Sequence, residues 1–392
     1  MAPSSSHAQT TLDTVDRPSW TPVVALAAGI AMLVASEFLP ASVLPALAAD
    51  VGVSEGVAGL AVAATAIAGA VTAPSIAVLL PRTDRRRVLV GLLVVGSVAN
   101  LAVAVAPNFV VLLAGRLLLG VAIAGFWSFA FGAGLHAMRG RDRAVSAALS
   151  FGVSLATVIG VPVGALVGDA IGWRAAFGGA AVLGVLAAAG IARALPSIPA
   201  HPSAGIRMLR EALRHRRLMA GVGCVVLVAF GNFAAYPYIR IATERIDADS
   251  TTWLLLAWGL GGVAGTVLAG VAAVRLRLLA AAAPVLLGVS LLVAATASTL
   301  PLLAVAIVVW GFAFNMVPVA TQLWVTRVEP ERVESAMSLQ VTAFQVAITI
   351  GSAAGGVLLD SYGVGTPLVV GAVAAVAAGL GFALLRVPAA AR

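Results

Sequence analysis

Apolar residues in this chain run for about 20 positions at a time, and nearly every charge lies between the runs. A helix crosses a bilayer core with about 20 apolar residues. Twelve runs meet that length, at 22–47, 57–80, 88–106, 109–135, 145–168, 174–194, 218–240, 251–273, 278–298, 301–325, 334–359 and 365–386. Turn formers and charges fill the short connections, as in Pro81-Arg82-Thr83-Asp84, Pro107-Asn108, Gly140-Arg141-Asp142 and Asp360-Ser361-Tyr362-Gly363. One longer stretch, 195–217, does not span; it holds Pro196, Pro199 and Pro202, then an arginine-rich piece from Arg207 to Arg217. The pattern predicts an all-α membrane protein: an N-terminal tail (1–21), a six-helix bundle (22–194), a linker (195–217), a second six-helix bundle (218–386) and a short tail (387–392).

Composition removes the soluble alternative. Hydrophobic residues make up 61% of 392 and charged residues 10%, too few to cover a domain of this size with a polar skin. The charge of +8 acquires meaning from where the arginines sit. Twenty of the 24 lie at the termini or at the exits of even-numbered spans: Arg17; Arg82, Arg85, Arg86 and Arg87; Arg139, Arg141 and Arg143; Arg193 and the 207–217 cluster; Arg275 and Arg277; Arg327 and Arg332; Arg386 and Arg392. The opposite loops hold Arg174, Arg240 and Arg245, and Arg116 falls inside a span. Basic loops stay cytoplasmic, so both termini and the linker are expected in the cytoplasm of a multi-pass inner-membrane protein. A nucleic-acid surface would gather these charges on one face, whereas here they are scattered over short loops. Ala46-Leu47-Ala48 imitates a signal-peptide cleavage site, but the apolar stretch before it is too long and contains Glu37, so the first span is expected to be retained. The single Cys224 excludes an internal disulfide and suits a small packing residue.

The halves repeat. Gly160, Gly164, Asp169 and Gly172 recur as Gly351, Gly355, Asp360 and Gly363, each 191 residues on. Six spans per half give both halves the same orientation, which predicts a parallel repeat with its site between the halves near the midplane.

Several chemistries are missing. The chain has no lysine, hence no Walker A motor and no Schiff base. His7, His136, His201 and His215 all lie outside the spans or at their edges, with no metal or hydrolase motif around them. No cofactor, no metal and no enzymatic activity are expected, and transport would draw on an ion gradient or on the substrate's own.

Polar residues within spans are therefore the candidates for function. Glu37 lies about 15 Å and Arg116 about 10 Å below the same surface, at 1.5 Å per residue. Charges at such depth face a cavity or each other. Two readings stand: a structural ion pair, or a protonatable carboxylate whose charge Arg116 and substrate control. Arg116, Gly120, Ile123 and Trp127 share one helix face. Asn232, Tyr236, Trp258, Asn315, Gln322, Gln340 and Gln345 supply further mid-span donors, acceptors and ring faces. Each serves as well in holding helices together; as a set they suit a planar, hydrogen-bonding ligand. Gly152, Gly160, Pro162, Gly164 and Gly168 thin and bend the fifth span, as suits an interface between halves that rock.

Thr83-Asp84-Arg85-Arg86-Arg87 is similar to the core of the Asp-Arg-x-Gly-Arg-Arg loop of the major facilitator superfamily, without its leading and internal glycines. Arg116-x-x-x-Gly120 is similar to that superfamily's fourth-span arginine motif. Gly160-x-Pro162-x-Gly164, followed by Gly172-Trp173-Arg174 and Phe177, resembles the fifth-span motif of its twelve-span drug:proton antiporters. Within that branch, Arg17-Pro18-Ser19-Trp20, Glu37-Phe38-Leu39-Pro40, Gly52-Val53-Ser54-Glu55-Gly56-Val57-Ala58-Gly59, Gly125-Phe126-Trp127 and Tyr238-Ile239-Arg240 resemble bacterial nucleoside exporters. The resemblance implies proton-coupled export of purine ribonucleosides such as inosine and guanosine by a monomer in the bilayer. It places Phe126 beside Trp127 in the site and gives Asp84, Arg85, Arg86, Gly160, Pro162 and Gly164 a gating role. Exporters of chloramphenicol-like drugs or of sugars share these motifs and stay open as alternatives. A non-transporting membrane sensor would need an appended signalling domain, for which neither tail is long enough.

Overall fold

A bilayer interior offers no water to backbone N–H and C=O groups, so a crossing chain satisfies them within helices. The computed structural model describes residues 20–80, 82–138, 141–199, 213–330 and 333–385. The N-terminal half contains α1 (Thr21–Ser42), α2 (Leu60–Leu79), α3 (Arg85–Ala104), α4 (Phe109–Ala137), α5 in two pieces (Asp142–Leu155 and Val161–Ile171) and α6 (Trp173–Ala194). The C-terminal half contains α7 (Arg216–Ala235), α8 (Thr251–Ala272), α9 (Leu276–Thr296), α10 (Leu300–Val328), α11 (Val333–Tyr362) and α12 (Gly365–Leu384). Among the described residues, eleven continuous stretches are long and apolar enough to span. One of them, Thr251–Thr296, holds both α8 and α9 around a short 3-10 turn, which makes twelve crossings. The first 19 residues, residues 200–212 of the linker and the last seven lie outside the described residues, and with them Arg17, Arg207, Arg210, Arg386 and Arg392.

Element ends follow local chemistry. Asp84 caps α3 through the Arg87 N–H, and Asn108 caps α4 through the Val111 N–H. The first span ends earlier than the apolar run suggests. Pro40 and Pro45 flank a break at Val43, after which a separate short helix, Leu44–Val51, begins. The seventh span is likewise interrupted by a 3-10 turn at Tyr236–Tyr238, around Pro237, before a short helix Ile239–Glu244.

The two halves pack by the same rule. In the first, the contact order is α2–α4–α3–α6–α1–α5; in the second it is α8–α10–α9–α12–α7–α11. Each helix stands where its counterpart six helices earlier stood, as a parallel repeat requires. Gly172 and Gly363, repeat partners, end α5 and α11 with φ of 98° and 81°, a region that glycine alone enters easily. The halves meet through α2 on α11 and α5 on α8, again a repeat-related pair of contacts.

The fifth span carries an unexpected division of labour. Side chains on Gly152, Gly160, Gly164 or Gly168 would collide with Ala27, Ala35, Leu39 or Val43 of the first span and its end. The glycine stripe therefore seats α5 on α1 within one half. Contact across the halves comes from the π-helical turn Ala156–Gly160, whose Thr157 and Val158 backbone lies against Gly259 of α8, and from the piece of α5 that follows it. Pro162 has no N–H for the carbonyl four residues earlier, which accounts for the widened turn just before it.

Candidate functional site

Arg116 is completely buried in α4, and each of its three guanidinium nitrogens donates to a backbone carbonyl. Nη1 donates to the Ser36 carbonyl (2.7 Å), Nη2 to the Glu37 carbonyl (2.8 Å) and Nε to the Ala61 carbonyl of α2 (2.9 Å). The cause is written in α1: residue 40 is proline, so the Ser36 carbonyl lacks its helical donor, and Arg116 supplies one. Asn100 of α3 steadies the same turn by donating to Ser36 Oγ (2.9 Å). The arginine thus pins α1 to α2 and α4.

This arrangement leaves the Glu37 carboxylate within the electrostatic reach of Arg116 but without a direct bond to it. Glu37 is partly buried and, among the described residues, its carboxylate forms no hydrogen bond or salt bridge. The direct structural ion pair, one of the two readings of the sequence, is not what the structure contains: the guanidinium takes the Glu37 backbone carbonyl instead. Phe38, next to Glu37 in α1, meets Tyr236 of the other half, ring centroids 5.2 Å apart. Tyr236, which interacts electrostatically with Glu37, belongs to an aromatic cluster with Phe233, Trp258, Trp310, Phe314 and Phe344. Within the cluster Trp310 Nε1 donates to Asn232 Oδ1 (2.8 Å), while the Tyr236 hydroxyl, the Trp258 Nε1 and the Asn232 Nδ2 are buried without hydrogen-bond partners among the described residues.

The other candidates divide. Trp127 shares the face of Arg116, which points between α1 and α2, but is 44% exposed where Arg116 and Ile123 are buried. Gln345 reaches from α11 to α2, where only the absence of a side chain at Gly69 makes room for it. Phe126 is fully buried inside the N-terminal half against Gly29 and stands away from the interface between the halves. Gln340 donates to Thr321 Oγ1 (2.8 Å) inside the C-terminal half. Asn315 donates to the Gly311 carbonyl of its own helix and packs on Gly262. Gln322 is exposed. Sequence reading passed over Ser36, Phe38, Asn100 and Trp310; the spacing of Pro40 four residues after Ser36 is the one signal that pointed to a carbonyl in need of a donor.

Comparison with known proteins resolves what such a molecule is. The family model for the Major Facilitator Superfamily matches residues 25–241 and again 218–392, once per half. The chain belongs to the major facilitator superfamily. It is a multi-pass membrane protein of a family of secondary transporters, not of enzymes, and its partners are the bilayer and a small-molecule substrate. It is 37% identical to the purine ribonucleoside efflux pump NepI of Salmonella paratyphi B, over 91% of each chain. The pump of the same name from Salmonella enteritidis is 36% identical over the same shares. Among solved structures, a bacterial homologue of the human lysosomal transporter Spinster, in an inward-facing and unoccupied conformation, superposes with a TM-score of 0.75. That match covers 93% of this chain and 96% of the other at 14% identity, and it shows the shared fold.

The loop between α2 and α3 can now be placed in this transporter. Asp84 accepts from Ser197 Oγ (2.6 Å) and the Ile198 N–H (2.8 Å), tying the loop to the segment that leaves α6. Partial burial works against its charge. The Ser197 hydroxyl and the backbone N–H groups of Arg87, Ile198 and Arg86 outweigh that and hold Asp84 below the usual carboxylate range. Arg85 donates to the Leu80 carbonyl at the end of α2 and lies over the Phe129 ring, 4.4 Å from its centroid. Arg86 donates to the Ala192 carbonyl near the end of α6. Cations at helix C-termini are favourable, so the loop is fastened within one half. We expect Asp84→Asn to slow transport while largely sparing substrate binding, because an amide nitrogen facing two donors would free the loop. Parallel binding and transport assays check this; equal loss of both would overturn it. The anchor is complete at neutral pH and is lost only as pH falls through the lowered pKa of Asp84.

Proposed function

We propose that this transporter exports purine ribonucleosides in exchange for protons, by alternating access, with both termini in the cytoplasm. The observation that carries the substrate reading is the similarity to purine ribonucleoside efflux pumps along 91% of the chain. Supporting the proton reading is Glu37, a carboxylate without a hydrogen bond or salt bridge among the described residues, within the electrostatic reach of Arg116 and of Tyr236 from the other half. The arginine distribution supports the orientation. Trp127 offers an exposed ring on the Arg116 face, and a purine presents a flat face to stack on it.

A substrate panel in inverted vesicles carrying a pH dye tests substrate and coupling together. Inosine and guanosine are expected to be taken up with release of protons from the vesicle lumen, and chloramphenicol is not. Stacking of a base on an aromatic side chain is worth about 1–3 kcal/mol. Trp127→Ala should therefore weaken nucleoside binding by about tenfold, and Trp127→Phe should keep part of the affinity. A panel in which nucleosides move no protons overturns the reading, and an alanine variant that binds like the parent makes Trp127 a packing residue.

A further inference from the structure

Among the described residues, every hydrogen bond that crosses from one half to the other lies at the arginine-poor end. At the opposite end the bonds of Asp84, Arg86 and Arg277 reach their own half or the start of the linker and not the other half. Two of the crossing groups centre on aspartates that are repeat partners. Asp169, on the last turn of α5, pairs with Arg240 of the other half (2.7 Å). Arg240 is 12% exposed and also donates to the Ser42 carbonyl at the end of α1 (2.6 Å) and to Glu244 (2.6 Å). Asp360, on the last turn of α11, accepts from Ser54 Oγ and from the Gly56 N–H (3.0 Å), both in the connection between α1 and α2.

The placement follows from the repeat. Gly172 and Gly363 each stop a helix three residues after the aspartate, and α5 and α11 are the helices that face the other half. Each carboxylate therefore projects from the end of an interface helix toward the partner half's loop. Close approach at Asp360 depends on Gly56, where a side chain would collide with Gly356 and with Asp360 itself. Tyr238 adds a donor to the Ser352 carbonyl and reaches the Gly56 carbonyl at 3.3 Å. The donors differ, a guanidinium on one side and neutral groups on the other, so the two sites are of unequal strength.

We propose that Asp169 and Asp360 are paired latches, one contributed by each half, which hold the arginine-poor end shut and release whenever that end opens. The reading requires no substrate identity and no proton coupling.

The test is a distance measurement between spin labels at Ala49→Cys and Ala248→Cys, both exposed at this end in opposite halves, in a Cys224→Ser background in nanodiscs. The parent should give mainly one short distance. Asp169→Ala should lower the ratio of closed to open several-fold, the reach of a partly exposed ion pair. Asp360→Ala should act less, and the double variant more than either. Ser54→Ala should reproduce the direction of Asp360→Ala without touching the carboxylate, and it serves if an aspartate variant fails to fold. Asp50→Ala breaks the pair with Arg174 at the same end but inside one half, so it should leave the distances unchanged. Parent-like distances in both the double variant and Ser54→Ala would overturn the proposal, as would an equal shift from Asp50→Ala.

Discussion

Glu37→Gln is expected to abolish uphill transport driven by a pH gradient in proteoliposomes while leaving substrate binding intact. The substitution keeps the shape and most of the hydrogen-bonding reach of the side chain and removes only its capacity to gain and lose a proton. Insertion of an acidic residue at a helix centre costs about 2.5–3.5 kcal/mol; the nearby Arg116 charge offsets part of that, but among the described residues no hydrogen bond or salt bridge reaches the carboxylate. Its neighbour Arg116 is committed to three carbonyl oxygens, and no other described group bonds the carboxylate. A role in packing would leave it paired. Downhill exchange of substrate should survive in the variant, since exchange returns the carrier without a protonation step. Uphill transport at the parent's rate by the glutamine variant would remove Glu37 from the coupling mechanism.

Arg116→Ala should produce the largest loss of stability of any single substitution in the N-terminal half. It leaves the Ser36 carbonyl, which Pro40 deprives of its helical donor, unpaired in a buried site, at a cost of about 1–3 kcal/mol, and it cuts the ties to the Glu37 and Ala61 carbonyls that fasten α1 and α2 to α4. Arg116→Lys should recover only part, because one ammonium cannot reproduce a planar fork that spans α1 and α2. The origin of the demand can be tested as well. Pro40→Ala restores an N–H for the Ser36 carbonyl, so the double variant Arg116→Ala/Pro40→Ala should be more stable than additivity allows. Thermal unfolding in detergent reads all three. A midpoint for Arg116→Ala equal to the parent's would show that the carbonyls find other donors and that the arginine does not pin these helices.

What the sequence determined by itself is the class, the number of crossings, the repeat and the family resemblance. Each is a one-dimensional property. Twenty apolar residues in a row have one stable use in a bilayer, and a fixed 191-residue offset is visible without knowing which helix touches which. The polar residues within spans were also legible as candidates, because a charge in an apolar run stands out. Their division into roles was not. Tyr236, Trp258 and Asn232 converge on one cluster, whereas Phe126, adjacent to Trp127 in the chain, points into its own half, since successive helical residues are turned by about 100°. The glycines of the fifth span marked a close helix contact, but only packing shows that the partner is α1 and that the π-turn and the piece of α5 after it take the contact between halves. The least predictable feature is that Arg116 bonds carbonyls and makes no direct bond to the Glu37 carboxylate. That outcome depends on a backbone oxygen freed by Pro40 lying within 2.7 Å of a guanidinium from another helix, and nothing short of the tertiary structure brings those two atoms together.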